Sequence, residues 1–132
     1  MKKIEHKSEF YVRDYECDMQ GVVNNAVYQN YLEHARHLLL KDIGIDFGEL
    51  TRRGIMLTVI RTELDYKSPL MSGDKFVIGT TMEKISPLRF IFIQRIVKSP
   101  EETLVVKAKV FGTSLNSRRR PEMPKELDKI FG

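Results

Sequence analysis

Cysteine is almost missing from this chain: Cys17 is the single thiol in 132 residues. It has no partner for an internal disulfide, and no second thiol makes a CxxC redox or zinc motif with it. Long apolar runs are lacking as well, and no segment approaches the roughly 20 residues that a membrane-spanning helix needs. Repeats, low-complexity tracts and Gly/Ser/Pro linkers are absent, which makes residues 1–132 one domain. A chain of this length buries about two-thirds of its unfolded surface and needs no staple to fold.

There is also no strong excess of charge of one sign. Twenty-two basic side chains face 18 acidic ones, a net +4 that mildly favours anionic partners such as phosphorylated carriers. A nucleic-acid-binding domain would show aromatics interleaved with a continuous basic groove, whereas the only dense basic run is Arg118-Arg119-Arg120. The start, Met1-Lys2-Lys3-Ile4-Glu5-His6-Lys7, is charged and has no apolar stretch with a cleavage site after it. It does not read as a secretory signal, and a cytoplasmic location is expected.

What is present is the composition of an ordinary globular protein, 42% hydrophobic and 30% charged. Alternation predicts a strand from Ser8 to Tyr15. Beyond a loop with Asp18 and Gly21, Tyr28, Tyr31, Leu32, Ala35, Leu38 and Leu39 recur at the spacing of one helical stripe. Asn24 or Asn25 would cap that helix and Gly44 would end it. Its polar face carries Gln29, Asn30, Glu33, His34, Arg36, His37 and Lys41.

After a short irregular or helical stretch from Ile45 to Arg53, the pattern turns to period two. Met56, Ile60, Leu64 and Tyr66 mark one face of a second strand, Phe76, Ile78 and Met82 lie in a third, Phe90, Phe92 and Ile96 in a fourth, and Val105 and Phe111 in a fifth. Ser72-Gly73-Asp74, Ser86-Pro87 and Ser99-Pro100 are turn signals between them. The order is strand, long helix, four-strand meander, an α+β layout with the helix on one sheet face. In the fourth strand Phe90 and Phe92 oppose Ile91 and Ile93, so both faces want cover, and an oligomer follows.

Chemistry concentrates between Arg13 and Tyr28, around Asp18-Met19-Gln20-Gly21-Val22-Val23-Asn24-Asn25. A carboxylate on a glycine-containing loop stands just ahead of a capped helix, whose first turn offers unpaired N–H groups. Such N–H groups can hold a developing oxyanion while the carboxylate attacks a carbonyl or takes a proton from water. A turn or capping role for Asp18 is the competing explanation.

This segment, with Ala26-Val27-Tyr28 and Tyr31-Leu32-Glu33-His34-Ala35-Arg36, resembles the signature of the hot-dog-fold acyl-CoA thioesterases of the 4-hydroxybenzoyl-CoA thioesterase-like family. Tyr66-Lys67-Ser68-Pro69-Leu70, Gly73-Asp74 and Arg120-Pro121 extend the likeness over nearly the whole chain. The resemblance implies an antiparallel five-stranded sheet wrapped around one long central helix. It also implies a homodimer or homotetramer with active sites at the subunit interface, and hydrolysis of an acyl-CoA or acyl-carrier-protein thioester with no metal and no bound cofactor.

Residue by residue, Asp18 matches the catalytic carboxylate, as nucleophile or general base, and the Asn25 N–H matches the donor that polarises the carbonyl. Asn25 departs from the family, since many relatives carry a His there, and an Asn side chain exchanges no proton near neutral pH. Asp14 and Glu16 also depart and add carboxylates beside Asp18. Gly21 and Tyr28 are candidate substrate contacts; Arg89, Arg118, Arg119 and Arg120 are candidates for the phosphates of coenzyme A. Glu63 is a further candidate for approach to the helix start. His34 and His37 lack a third ligand for zinc, and Cys17 lacks an activating His. The alternative is a non-catalytic hot-dog module that binds acyl thioesters or acts as a scaffold.

Overall fold

In the computed structural model the described residues are 3–131; Met1, Lys2 and Gly132, the ends of the range read as one domain and of the charged N-terminal run, lie outside them. Strand β1 (Ile4–Tyr11) begins and ends earlier than the alternation predicts. The chain leaves the sheet at Arg13 because Glu16 reaches back: its carboxylate accepts the Arg13 N–H at 2.8 Å, closing Asp14–Glu16 into a 3-10 turn.

Helix α1 (Asn25–Asp42) follows, with Asn24 as its cap accepting the Ala26 N–H at 3.1 Å. It buries Tyr28, Tyr31, Leu32, Ala35, Leu39 and Leu40. Leu38 is only half-buried and Arg36, expected on the solvent face, is half-buried too. Arg36 is drawn inward by its bond to the buried Gln94 at 3.1 Å. A short helix, α2 (Phe47–Arg52), is capped by Asp46, whose carboxylate accepts the Glu49 N–H at 3.1 Å.

Strands β2 (Met56–Tyr66), β3 (Lys75–Ser86), β4 (Arg89–Ser99) and β5 (Thr103–Leu115) complete an antiparallel sheet of order β1-β3-β4-β5-β2, and helix α3 (Lys125–Phe131) ends the chain. The four-strand meander is therefore corrected: only β3, β4 and β5 follow one another as neighbours, while β2 sits at the far edge beside β5. Residues 67–74 make a crossing and not a hairpin. They are held by the Lys67 N–H on the Val105 carbonyl and the Val23 N–H on the Leu70 carbonyl, which route the chain past the start of α1.

A bulge between Val59 and Arg61 also breaks the second strand's alternation. Leu64 and Tyr66 pair with Ala108 and Val106 on the helix side, whereas Met56 pairs with Leu115 on the other. With the helix cradled in its concave face, this five-stranded sheet has the α+β hot-dog arrangement that the motif implies.

The core has two parts, one around the first half of α1 with Phe76, Ile78 and Ile96, and one around its second half with Met82, Phe90, Phe92 and Leu127. Gln94 is completely buried in the sheet beneath α1. Its amide donates to the Leu32 carbonyl at 3.0 Å and to Thr80 Oγ1 at 3.1 Å, and its oxygen accepts from Arg36 at 3.1 Å. Gly112 is required by a close approach: a Cβ there would stand 2.4 Å from the Phe90 ring.

The basis for expecting an oligomer shifts. Ile91 is only 7% exposed in the isolated chain, and Lys7, Glu9, Arg95, Lys107 and Lys109 are exposed on the convex face around it, so that face is not bare. On the edge strand β2 four large apolar side chains, Met56, Val59, Ile60 and Tyr66, are exposed. An edge strand with such side chains is a ready template for pairing with another chain.

Candidate active site

Asp18 stands at the head of a tight turn. Its Oδ1 accepts the N–H groups of Gln20 at 2.9 Å and Val22 at 3.2 Å, which fixes the side chain and leaves Oδ2 without a partner among the described residues. The Gly21 N–H returns to the Asp18 carbonyl at 3.0 Å, with Gly21 at φ +80°, a conformation that a side chain resists. Asp18 is exposed. The same hydrogen bonds that would serve a purely structural turn thus also aim a free carboxylate oxygen outward.

At the helix start, Asn24 takes the Ala26 N–H on its side chain and the Val27 N–H on its carbonyl. The Asn25 N–H, first in the helix, has no acceptor among the described residues. It is an unpaired donor at the positive end of the helix dipole, the kind of group that holds an oxyanion. The Asn25 side chain is exposed.

The crossing segment completes the frame. Val22 bridges to Met71, and the Ser72 N–H donates to the Gly21 carbonyl at 3.0 Å, while Ser72 Oγ bonds Asp14. Sequence reasoning treated Ser72 only as a turn residue, and no spacing signal connects it to Gly21. Glu16 accepts the Tyr31 hydroxyl at 2.9 Å as well as the Arg13 N–H. Asp14 and Glu16 are thus each committed to structural bonds.

Tyr28 is buried, its hydroxyl accepting the Leu70 N–H at 2.9 Å and its ring 5.7 Å from that of Tyr66. It lies under the site as packing. Burial holds its hydroxyl above the ordinary phenol range, and burial followed by the bond to Glu16 does the same for Tyr31. Burial, then Asp14, Asp18 and Glu16, push the Cys17 thiol up, so it is a poor nucleophile at neutral pH.

The candidate phosphate contacts are not brought to Asp18 within one protomer. Tyr66 pairs with Val106 near the site, but Arg118–Arg120 follow Leu115, which pairs with Met56 at the other end of the sheet, about 30 Å along β5 at roughly 3.3 Å per residue. Arg89 pairs with Thr113 at that same far end. Glu63 does not approach the helix: it pairs with Lys109 on the convex face and makes an ion pair with Arg61 at 2.9 Å. His34 packs edge-on to Phe10 and His37 against Phe47. Among the described residues no group of three His, Cys, Asp or Glu side chains is placed to hold a metal ion, and no helix is long and apolar enough to cross a membrane.

A fixed carboxylate with one free oxygen and an unpaired helix N–H on the next element suit attack on an activated carbonyl. A model of the thioesterase-like superfamily matches residues 12–131. Two chloroplastic acyl-acyl carrier protein thioesterases of Arabidopsis thaliana are 40% and 42% identical over 96% and 88% of this chain, which spans 68% and 61% of their lengths. The solved structure of Slr0204, a 1,4-dihydroxy-2-naphthoyl-CoA thioesterase from Synechocystis, superposes with a TM-score of 0.90 at 18% identity, covering 96% of this chain and 95% of that one. At that identity the likeness speaks for the fold.

Proposed function

The chain belongs to the thioesterase-like superfamily and is a thioester hydrolase, and we propose that Asp18 and the Asn25 N–H are its reactive pair, acting on an acyl-CoA or acyl-carrier-protein thioester. One observation carries the assignment: Asp18 is anchored through Oδ1 alone, beside a helix whose first N–H is unpaired.

The thioester carbonyl oxygen accepts the Asn25 N–H, which strengthens as negative charge develops; losing a donor of this kind costs about 3 to 4 kcal/mol of barrier. Asp18 Oδ2 then either attacks the carbonyl carbon, expelling the thiolate and leaving a mixed anhydride that water cleaves, or removes a proton from water that attacks in its place. Single turnover in heavy-oxygen water labels the Asp18 carboxylate when water opens the anhydride at Cγ, and hydroxylamine trapping of acyl-Asp18 identifies it when water attacks the acyl carbon; the general-base route gives neither. The Asn25 side chain orients water or substrate by hydrogen bonding, having no proton to exchange.

The same proposal includes one domain over residues 1–132, a cytoplasmic location and a homodimer or homotetramer. Antiparallel pairing of β2 with the β2 of a second copy would lay the far end of one sheet beside the near end of the other. The partner copy's Arg118–Arg120 loop and Arg89 would then approach Asp18, supplying guanidinium groups to the phosphates of the carrier.

The deciding experiment is hydrolysis of a panel of acyl-CoA and acyl-carrier-protein thioesters by the wild type and by Asp18→Asn. The amide keeps an oxygen for the Gln20 and Val22 N–H groups, so the turn survives while the base is lost. A fall of about a hundredfold or more in kcat with unchanged thermal stability is expected. Near-normal turnover in the variant would remove Asp18 from the mechanism.

A further inference from the structure

Helix α1 carries a second stripe at the margin of the core, sharing only Leu40 with it. Glu33, Arg36, His37 and Leu40 recur at i, i+3, i+4 and i+7, and all four line a cavity of about 380 Å³, within the range of small-molecule pockets. Its inner wall is apolar, made of Leu50, Ile55, Leu57, Phe90 and Phe92. Arg36 does not spoil it: the guanidinium turns to Gln94 at 3.1 Å and lies 5.9 Å over the Phe92 ring, so its stem and flat face form part of the wall.

Two contacts show how the cavity relates to the reactive end. The ring of Tyr28, in the first turn of α1, is 5.7 Å from that of Tyr66, the last residue of β2. The start of β2 shares the cavity with Leu40, near the end of α1. Strand β2 therefore runs antiparallel alongside α1, with Asn25 at one end of the pair and the cavity at the other. Gln29, Thr62 and Tyr66 on these two elements are exposed.

At a rise of 1.5 Å per residue, Glu33 stands about 12 Å and Leu40 about 22 Å along the axis from Asn25. An extended alkyl chain advances about 1.3 Å per carbon, given bonds of about 1.5 Å at tetrahedral angles. A chain whose carbonyl rests on the Asn25 N–H thus enters the cavity near its ninth or tenth carbon, by the same rough geometry. An aryl group would stop well short. The hollows on the convex face are lined by Lys7, Glu9, Arg95, Lys107 and Lys109, where an alkyl chain would meet charge.

We propose that this cavity holds the far end of a straight acyl chain of about ten to sixteen carbons, so that α2 and the first residues of β2 set the chain-length preference. The inference rests on the thioester-hydrolase reading for its substrate, and its test is kept separate from hydrolysis. The chain contains no tryptophan, so Phe47→Trp places a lone fluorescent reporter on the cavity wall. The probes are dodecyl thioethers of CoA, which are not cleaved, carrying bromine either on the terminal carbon or on the sixth carbon from the sulfur. The terminal bromine is expected to quench the reporter and the other to leave it bright. Equal quenching by both, no quenching by the terminal probe, or no binding of either overturns the assignment. Quenching together with absent thioester cleavage would count against the hydrolase reading alone.

A second variant, Thr51→Trp, fills the cavity from exposed α2. It should lower kcat/KM for dodecanoyl and longer thioesters about tenfold or more while leaving butanoyl and hexanoyl within about twofold, since each misplaced methylene is felt in an apolar pocket. A uniform fall, or none, would also overturn the proposal.

Discussion

The Ser72 N–H donates to the Gly21 carbonyl at 3.0 Å, tying the crossing between β2 and β3 to the turn that presents Asp18. Two segments about fifty residues apart in sequence are thereby held as one frame in front of the helix start. The Asp18 carboxylate is positioned by this frame and by the Gln20 and Val22 N–H groups, which both donate to its Oδ1.

Gly21 is the point where that frame depends on backbone conformation. At φ +80° there is open space around its missing Cβ, so Gly21→Ala meets no clash and acts through strain alone. We expect a loss of about 1 to 2 kcal/mol in stability, read from a urea midpoint, with a fall in kcat as Asp18 shifts. Gly44→Ala, also at positive φ but beyond the other end of α1, should cost similar stability and leave kcat near the wild-type value.

The buried amide of Gln94 joins Leu32, Thr80 and Arg36. Gln94→Leu leaves the Thr80 hydroxyl and the Arg36 guanidinium without that partner. Each buried polar group so stranded costs about 1 to 3 kcal/mol, so the thermal midpoint should fall by several degrees. An unchanged midpoint would show that water satisfies these groups.

Acid should act on the clasp between α2 and α3. Arg53 donates to Glu126 at 2.5 Å, and this bond holds the Glu126 carboxyl below the usual carboxylate range. A carboxyl depressed in the folded state stabilises above its unfolded pKa of about 4.3 and loses that contribution as pH falls through the lower folded value. Wild type should be only slightly more stable than Glu126→Gln at pH 7, because the pair is partly exposed. The difference should narrow as pH falls below about 4.3, in equilibrium unfolding measured across the acid range.

Strand β2 tests the assembly. Ile60 sits at its bulge, 46% exposed on the sheet edge. Ile60→Lys places a charge where a second copy would pair, so sedimentation should show a monomer where the wild type sediments as an oligomer, and hydrolysis should fall with dissociation. A wild type that is fully active as a monomer would end this expectation.

Local signals in the sequence are strong where one element alone decides the structure. The apolar stripe, the Asn24 cap and Gly44 define α1 before any tertiary contact forms, because helix periodicity and capping involve residues only a few positions apart. The same holds for the Asp18–Gly21 turn, whose hydrogen bonds close within five residues. The placement of β2 was not legible in this way: short connections suggested a meander, but the chain crosses to the far edge through bonds from Lys67 to Val105 and from Val23 to Leu70.

Sequence by itself determined α1 and the presence of five strands, though not α3 or the bounds of β1, and it brought forward the carboxylate and helix N–H proposed as the reactive pair with the family motif around them. Tertiary structure alone decided what these residues face. It set Arg89 and Arg118–Arg120 at the opposite end of the sheet from Asp18, turned Glu63 to the convex side, drew Arg36 inward to Gln94, and opened a cavity beyond Glu33. The reason is that strand order and register are chosen by the summed packing of the whole sheet around α1, and no local spacing encodes that sum.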